Sequence, residues 1–394
     1  MTNRHKQTAI RATYMRGGTS KGVFFTPEDL PATIRNNAIA RDQLMLRIIG
    51  SPDPYGKQID GMGAATSSTS KVVLVSKSSR PDCDVDYLFG AVSIETPVVD
   101  WSGNCGNLTS AVGPFAISRG LVDAPHDGLA TVRIWQANIG KQIIAYVPMQ
   151  DGEVLETGDF ELDGVTFPAA EIRLEFLSPG ANEDGGSPMF PTGKLIDMLE
   201  IPGIGNIEAT LINAGNPTVF IDAATLGLQG TELQHDINQD ESLLTRCETI
   251  RAHATVAMGL ASSPAEATAQ RPHTPKLAFM ARPASYKASS GKQVDADEID
   301  LLARILSMGK LHHAMTGTGA VAIAVAAAIP ETLVHRILGG RSSYDSVRFG
   351  HPSGTLEVGA EAIRHDGQWL VTKALMSRSA RRLMDGHIFV PLQD

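Results

Sequence analysis

Ser102-Gly103-Asn104-Cys105-Gly106-Asn107-Leu108 is the stretch around which the rest of the chain is read. Before it runs Ala91-Val92-Ser93-Ile94-Glu95-Thr96-Pro97-Val98-Val99-Asp100-Trp101, whose alternation predicts a strand. After it, the apolar segment from Leu108 to Leu121 predicts a helix. A lone cysteine between glycines at a strand-to-helix junction meets unpaired N–H groups and the positive end of a helix dipole, which favour its thiolate. The same N–H groups suit a substrate carboxylate. A tight turn with a buried thiol is the plainer alternative.

A second junction has the same layout. Gly309-Lys310-Leu311-His312-His313-Ala314-Met315-Thr316-Gly317-Thr318-Gly319 opens an Ala/Val/Ile-rich helix, Ala320 to Ala328, stopped by Pro330. Two such helix starts facing one another would frame a pocket for a di- or tricarboxylate, although simple core packing also accounts for the helix.

Three further segments carry donors or bases. Strands at Ala9–Tyr14 and Val23–Phe25 flank Met15-Arg16-Gly17-Gly18-Thr19-Ser20-Lys21-Gly22, a loop suited to carboxylate or phosphate oxygens, or an ordinary hairpin turn. It lacks P-loop spacing. Thr66-Ser67-Ser68-Thr69-Ser70-Lys71 leads into the strand Val72–Val75; an amine leaving water there would have the lowered pKa a lysine base needs, whereas a surface lysine would not. Asn216, before Pro217 and between strands Ala209–Asn213 and Val219–Ile221, is pushed towards extended backbone that can aim its amide into a cleft, or forms an Asn-Pro turn.

Helices are further expected at Ala38–Ile49, Asp240–Met258 and Asp297–Ser307. Strands are expected at Thr131–Trp135, Ile143–Val147, Val165–Phe167, Ile172–Leu177, Pro275–Met280 and Gly386–Val390, and His351-Pro352-Ser353-Gly354 reads as a loop between strands. The polar, Gly/Pro-rich segment Ser178 to Pro188 divides the chain into halves, 1–184 and 185–394, leaving open that the last strand returns to the first half. No internal sequence repeat is evident.

At 394 residues, 42% hydrophobic and 20% charged, the chain reads as a soluble globular protein of two domains. The amino terminus lacks a signal-like apolar region, and the longest apolar run, Ala320 to Ile329, is ten residues, far short of a membrane span. Three cysteines, Cys83, Cys105 and Cys247, fit reduced thiols in a cytoplasmic protein. No Cys/His group has metal-ligand spacing; His312 and His313 are adjacent and would not face one way on a helix, so no metal is expected. A net charge of −9 disfavours nucleic acid, and requires that an anionic substrate be held by local cations and N–H groups.

With these residues in view, the chain resembles the PrpF family, the 2-methylaconitate isomerases of the methylcitrate route of propionate breakdown, within the diaminopimelate-epimerase-like superfamily. The resemblance is carried by the segments 15–22 and 69–71 quoted above, Gly50-Ser51-Pro52-Asp53, Gln58-Ile59-Asp60-Gly61, Asp86-Tyr87-Leu88-Phe89, Asn104-Cys105-Gly106-Asn107, Phe349-Gly350-His351-Pro352-Ser353-Gly354 and Ser377-Arg378-Ser379-Ala380-Arg381. It implies an α/β (α+β) fold of two pseudo-repeated halves, each a curved sheet wrapped around a central helix, with the active site between them. The superfamily's racemases and epimerases use two opposed cysteines. Here Cys105 matches the first, Thr316 stands at the second, and Asn216-Pro217 matches a substrate-binding Asn-Pro, so a two-thiol epimerase or racemase is disfavoured.

The resemblance implicates Lys71 as catalytic base instead, with Cys105 as second acid/base or positioning contact. Thr19, Ser20, Asn104, Gly106, Asn107, Asn216, Gly317 and Thr318 are the expected substrate-binding residues, and Arg16 and Lys21 are candidate cations. The implied substrate is a small unsaturated tricarboxylate, isomerised without a cofactor because its conjugated carboxylates are the electron sink. Homo-oligomerisation and a functional link to an iron–sulfur methylcitrate dehydratase are left open. The competing readings are a tautomerase of a related acid such as 4-oxalomesaconate, and a non-enzymatic accessory factor for that dehydratase.

Overall fold

The computed structural model describes residues 7–180, 188–340, 345–366 and 368–391. The first part of the chain runs β1 (Thr8–Gly17), β2 (Ser20–Phe25), α1 (Ala32–Arg35), α2 (Ala38–Ile49), β3 (Lys71–Lys77), β4 (Val85–Val92), β5 (Val99–Asp100), α3 (Gly106–Ser118), β6 (Gly128–Gln136), β7 (Lys141–Gln150), β8 (Glu153–Val154) and β9 (Ile172–Leu177). The second runs β10 (Asp197–Ile201), β11 (Gly205–Ala214), β12 (Asn216–Asp222), α4 (Gln234–Asn238), α5 (Glu241–Ala257), α6 (Pro264–Gln270), β13 (Lys276–Ala281), β14 (Tyr286–Lys287), β15 (Gln293–Val294), β16 (Leu301–Ser307), β17 (Lys310–Leu311), α7 (Gly317–Ala328), α8 (Leu333–Ile337), β18 (Ser346–His351), β19 (Gly354–His365), β20 (Gln368–Arg378) and β21 (Ala380–Val390).

The pairings of the two parts match step for step. Hairpin β1–β2 adds β3 in parallel, β3 pairs antiparallel with β4, β4 takes β6 in parallel, and β7 follows antiparallel. Hairpin β11–β12 adds β13 in parallel, then β16 antiparallel, β18 parallel and β19 antiparallel. The chain ends by crossing back: β21 pairs along β1 from Thr8↔Val390 to Gly17↔Ala380, and β20 pairs with β9.

Each curved sheet encloses one buried helix. Every residue of α7 is buried, because a Gly/Ala/Val/Ile helix has no polar face to offer solvent. In α3 the run Gly106 to Ala116 is buried, and its hydroxyls bond backwards to the backbone, Thr109 Oγ1 to the carbonyl of Cys105 and Ser110 Oγ to that of Asn107. Both helices share the main core. The amphipathic helices α2 and α5 cover the outer faces of the two sheets in separate clusters. Among the described residues, no helix is long and apolar enough to cross a membrane.

Several expectations are corrected. Residues 297–307 form a short 3-10 turn and then β16, not a helix: Leu301 to Ser307 is buried on both sides, and a continuous apolar run has no period to distinguish the two states. Val165–Phe167 is not a strand; it follows Gly164, whose φ is +95°, and leaves Phe167 68% exposed. The run from Ala91 to Trp101 is broken between β4 and β5 by a turn closed from the Ser93 N–H to the Val98 carbonyl. The helix after the cysteine starts at Gly106 rather than Leu108. Most of the expected dividing segment, with the boundary at 184/185, lies outside the described residues.

Candidate active site

Lys71 opens β3, at the end of a turn whose shape depends on Gln58. The Gln58 Oε1 accepts from the Ala65 N–H at 2.8 Å and from Ser70 Oγ at 2.8 Å, tying the segment 65–70 down immediately before the lysine. The Lys71 side chain points inward, 4% exposed, with Nζ over the Phe89 ring at 5.1 Å from its centroid. Nζ donates to Cys105 Sγ at 3.5 Å. Cys105 is the N-cap of α3, 6% exposed, and its thiol caps no N–H group. Amine and thiol from two loops of the same repeat therefore meet in the interior.

At the other helix start Thr316 takes the same N-cap place, its Oγ1 accepting from the Gly319 N–H. The two starts touch at Gly106 and Gly317, leaving no room for a ligand between these two residues. Two asparagines clamp the junction. Asn216 accepts from the Asn104 N–H at 2.8 Å and donates to the Asn104 carbonyl at 2.9 Å and Thr318 Oγ1 at 3.1 Å. Asn107 donates to Thr19 Oγ1 at 3.0 Å and the Met315 carbonyl at 3.1 Å, and accepts from Arg378 Nε at 3.0 Å. Thr19, Lys71, Asn104, Cys105, Gly106, Asn107, Asn216, Gly317 and Thr318 thus stand in one connected group, and the side chains of Asn107 and Asn216 are engaged in joining its parts.

Ser20 belongs to the adjoining cleft of about 570 Å³, lined by Arg16, Thr19, Ser20, Ser68, His313 and Arg381 among others. Arg16 donates to the carbonyls of Gly18 and Ser379, and Lys21 lies over the Tyr14 ring, so both candidate cations are on the cleft wall. Ser68 Oγ bridges to His313 Nδ1 at 3.3 Å.

The interior holds groups that sequence reasoning missed. Lys276 opens β13 as Lys71 opens β3, and its Nζ bonds His273 Nδ1 at 3.0 Å and Ser307 Oγ at 2.9 Å. His273 reaches the Asn104 carbonyl through Nε2, donates its backbone N–H to Asp100 at 2.8 Å, and lies against Phe89 at 5.3 Å with the two rings tilted by 49°. His312 and His313 lie stacked at 4.7 Å, in a loop rather than a helix. Burial first, then the charges of Lys276 and Lys71, hold His273 well below the usual histidine range. Burial, then His313 and Lys71, do the same to His312. The signal for Lys276 was present: Thr274-Pro275-Lys276 precedes an apolar strand just as Thr69-Ser70-Lys71 does.

Three buried polar atoms in this region have no partner: Ser20 Oγ, Asn104 Nδ2 and His312 Nε2. His312 Nδ1 accepts the Ala314 N–H, so the neutral ring carries its proton on Nε2, and that atom is an unsatisfied donor. Donors without acceptors, beside two buried amines, suit a ligand rich in carboxylate oxygens. Among the described residues, the group able to share a metal ion is His126, Asp127 and Asp151, all exposed and none lining this cleft.

Comparison with known proteins identifies the fold and the family. A 2-methyl-aconitate isomerase of Shewanella oneidensis is 64% identical over 389 residues, 98% of each chain. The crystal structure of a methylitaconate-delta-isomerase superimposes with a TM-score of 0.74 at 37% identity, covering 99% of this chain and 98% of that one. A hydroxyproline epimerase of Agrobacterium vitis, 12% identical with a TM-score of 0.56 over 99% and 94% of the chains, shares the fold alone. The fold is diaminopimelate-epimerase-like, and from residue 7 to residue 391 the sequence matches the PrpF protein, so the chain belongs to the PrpF family.

Proposed function

We propose that this protein is a cofactor-independent isomerase that interconverts the trans and cis forms of 2-methylaconitate. The observation that carries the reading is the buried Lys71–Cys105 pair at 3.5 Å, with Asn104 Nδ2 next to the cysteine and His312 Nε2, in the field of the lysine, both without a partner. The substrate follows from the 64% identical relative of that name, against 37% identity to the methylitaconate isomerase.

Lys71, as neutral amine, takes a proton from the carbon flanked by the double bond and a carboxylate. The C–H bond breaks, an N–H bond forms, and the electron pair spreads through the diene to the carboxylate. The former double bond gains single-bond character and rotates, and return of the same proton restores a neutral amine and fixes the new isomer. The unpartnered donors oppose the charge as it develops on the carboxylate oxygens, and they gain most at that point because water is excluded. Cys105 orients the amine or shares the proton. Thr19, Gly106, Asn107, Asn216, Gly317 and Thr318 hold the wall against which the substrate rests.

The repeated topology supports treating 1–184 and 185–394 as the two halves around this site. The chemistry calls for no electron sink beyond the substrate. A cytoplasmic enzyme in propionate breakdown, supplied by an iron–sulfur methylcitrate dehydratase and assembling as a homo-oligomer, completes the proposal. The test is incubation of purified protein with trans-2-methylaconitate, followed by NMR and by a coupled hydratase, beside 4-oxalomesaconate as competing substrate. Turnover of the second acid alone would reassign the substrate. Absence of turnover on both, with full support of a dehydratase in cells by Lys71→Ala protein, would replace the enzyme with an accessory factor.

A further inference from the structure

Two lysines, not one, are buried at the site. Lys276 is 2% exposed and Lys71 4%. They are counterparts in the repeat: each opens the strand that pairs in parallel with its hairpin's second strand. Among the described residues neither makes an ion pair with a carboxylate, although an uncompensated buried ammonium is expensive.

The surroundings of Lys276 are built to aim it. The Asn104 carbonyl can only accept, so His273 carries its proton on Nε2 and its Nδ1 accepts from the lysine. Ser307 Oγ takes a second N–H. An ammonium has three donors, and the third is unassigned. His273 and Lys71 Nζ rest against the same Phe89 ring, at 5.3 and 5.1 Å, so this relay reaches the space that Lys71 occupies.

We propose that Lys276 is a second substrate-contacting residue, whose remaining N–H holds a carboxylate of the substrate while Lys71 works on the neighbouring carbon. The inference rests on the proposed function for the ligand's being a polycarboxylate. It gives the two repeats different tasks: the amine of the first removes a proton, and the amine of the second anchors the charge. The groups around Lys276 are Lys71, Asp100, Cys105, Arg251, His273 and Ser307. Burial, then the charge of Lys71, brings its pKa down to about 7, so the free amine is largely neutral at pH 8 and must gain a proton to hold an anion.

Calorimetric titration with tricarballylate, a saturated tricarboxylate that offers no allylic proton, decides the matter at pH 8 in buffers of different ionisation enthalpy. Expected is uptake of about one proton per ligand bound by the wild type, abolished in Lys276→Met together with a loss of affinity of at least about tenfold. Lys276→Arg should recover most of the affinity without the uptake, and Ser307→Ala should lie between, providing a milder variant if Lys276→Met folds poorly. Wild-type affinity and proton uptake in Lys276→Met or Ser307→Ala, with the fold intact by circular dichroism, would overturn the inference. The two readings fail separately: tricarballylate binding with these variant effects but no turnover of 2-methylaconitate removes only the proposed function, whereas turnover with unaltered variant binding removes only the anchor.

Discussion

Gly106 and Gly317, the first residues of the two buried helices, press backbone to backbone: a Cβ built on Gly106 would stand 2.7 Å from the Gly317 carbonyl carbon, and one built on Gly317 would stand 2.5 Å from the Asn107 nitrogen. Neither obstacle is a side chain that could swing aside. Gly106→Ala and Gly317→Ala must therefore spread the helix starts, and with them Cys105 and Thr316. Each should lower stability by about 1–3 kcal/mol, the usual range for overpacking a rigid core, and reduce turnover out of proportion. Urea denaturation and steady-state kinetics on both variants check this; a Gly106→Ala protein with wild-type midpoint and rate would show that the contact is loose.

Lys71→Met keeps the length and burial of the side chain but removes the amine that lies 3.5 Å from Cys105 Sγ. Isomerisation of 2-methylaconitate should fall by about 10²–10⁴-fold, the range for losing a general base, with little change in Tm. Near-normal turnover would take the base role from Lys71. Cys105→Ser and Cys105→Ala then separate chemistry from packing: if the thiol shares the proton both variants are slow, and if it only orients the amine the hydroxyl restores more activity than the methyl.

How far the sequence could be read depended on whether each feature was local. The α3 junction was legible because Cys105 stands between glycines and asparagines at a change of period, and α2 was found with its bounds because its amphipathic spacing stops at Gly50, which ends it in the left-handed region. β16 was misread because its neighbours on both faces lie far away in sequence. Lys276 was overlooked because it lacks the hydroxyl cluster that draws attention to Lys71, and because Ser307, 31 residues further on, is brought to it only by the fold, although His273 stands three residues before it in sequence. His312 and His313 were weighed as helix residues and set aside; in the loop they occupy, stacking and burial determine their chemistry. The repeat lies in strand pairing, which the eye cannot find in side chains.

Asn216 satisfies both backbone groups of Asn104 and the hydroxyl of Thr318 with one amide. Asn216→Ala leaves the Asn104 N–H buried without a partner, which costs about 1–3 kcal/mol before any loss of the other two bonds. Asn216→Asp keeps the acceptor but loses both N–H donors and sets a carboxylate beside the Asn104 carbonyl, so it should be no better. Both variants should lose stability and activity together, in contrast to Lys71→Met. Denaturation midpoints within about 0.5 kcal/mol of wild type would mean that the clamp is dispensable.

Acid should destabilise the protein earlier than its carboxylates alone would. Burial holds His273 and His312 well below the ordinary histidine pKa, lowers His313, and brings His351 to about 3, so all four favour the neutral form when folded. The unfolded chain protonates these rings near pH 6.5 and the folded chain does not, so below that pH the unfolded state binds more protons and is favoured. The contribution of these rings to stability is therefore full above pH 6.5 and falls with pH, by about 1.4 kcal/mol per pH unit for each ring that stays neutral, continuing for His351 down to about pH 3. Urea midpoints at pH 6.5, 6.0 and 5.5 read the histidines, since the lowered aspartates such as Asp84 titrate below this window and Lys276, brought down to about 7, titrates above it. A steep fall between 6.5 and 5.5 is expected, shallower in His351→Gln; equal stability at all three values would mean that these rings take up protons in the folded state as readily as in the unfolded one.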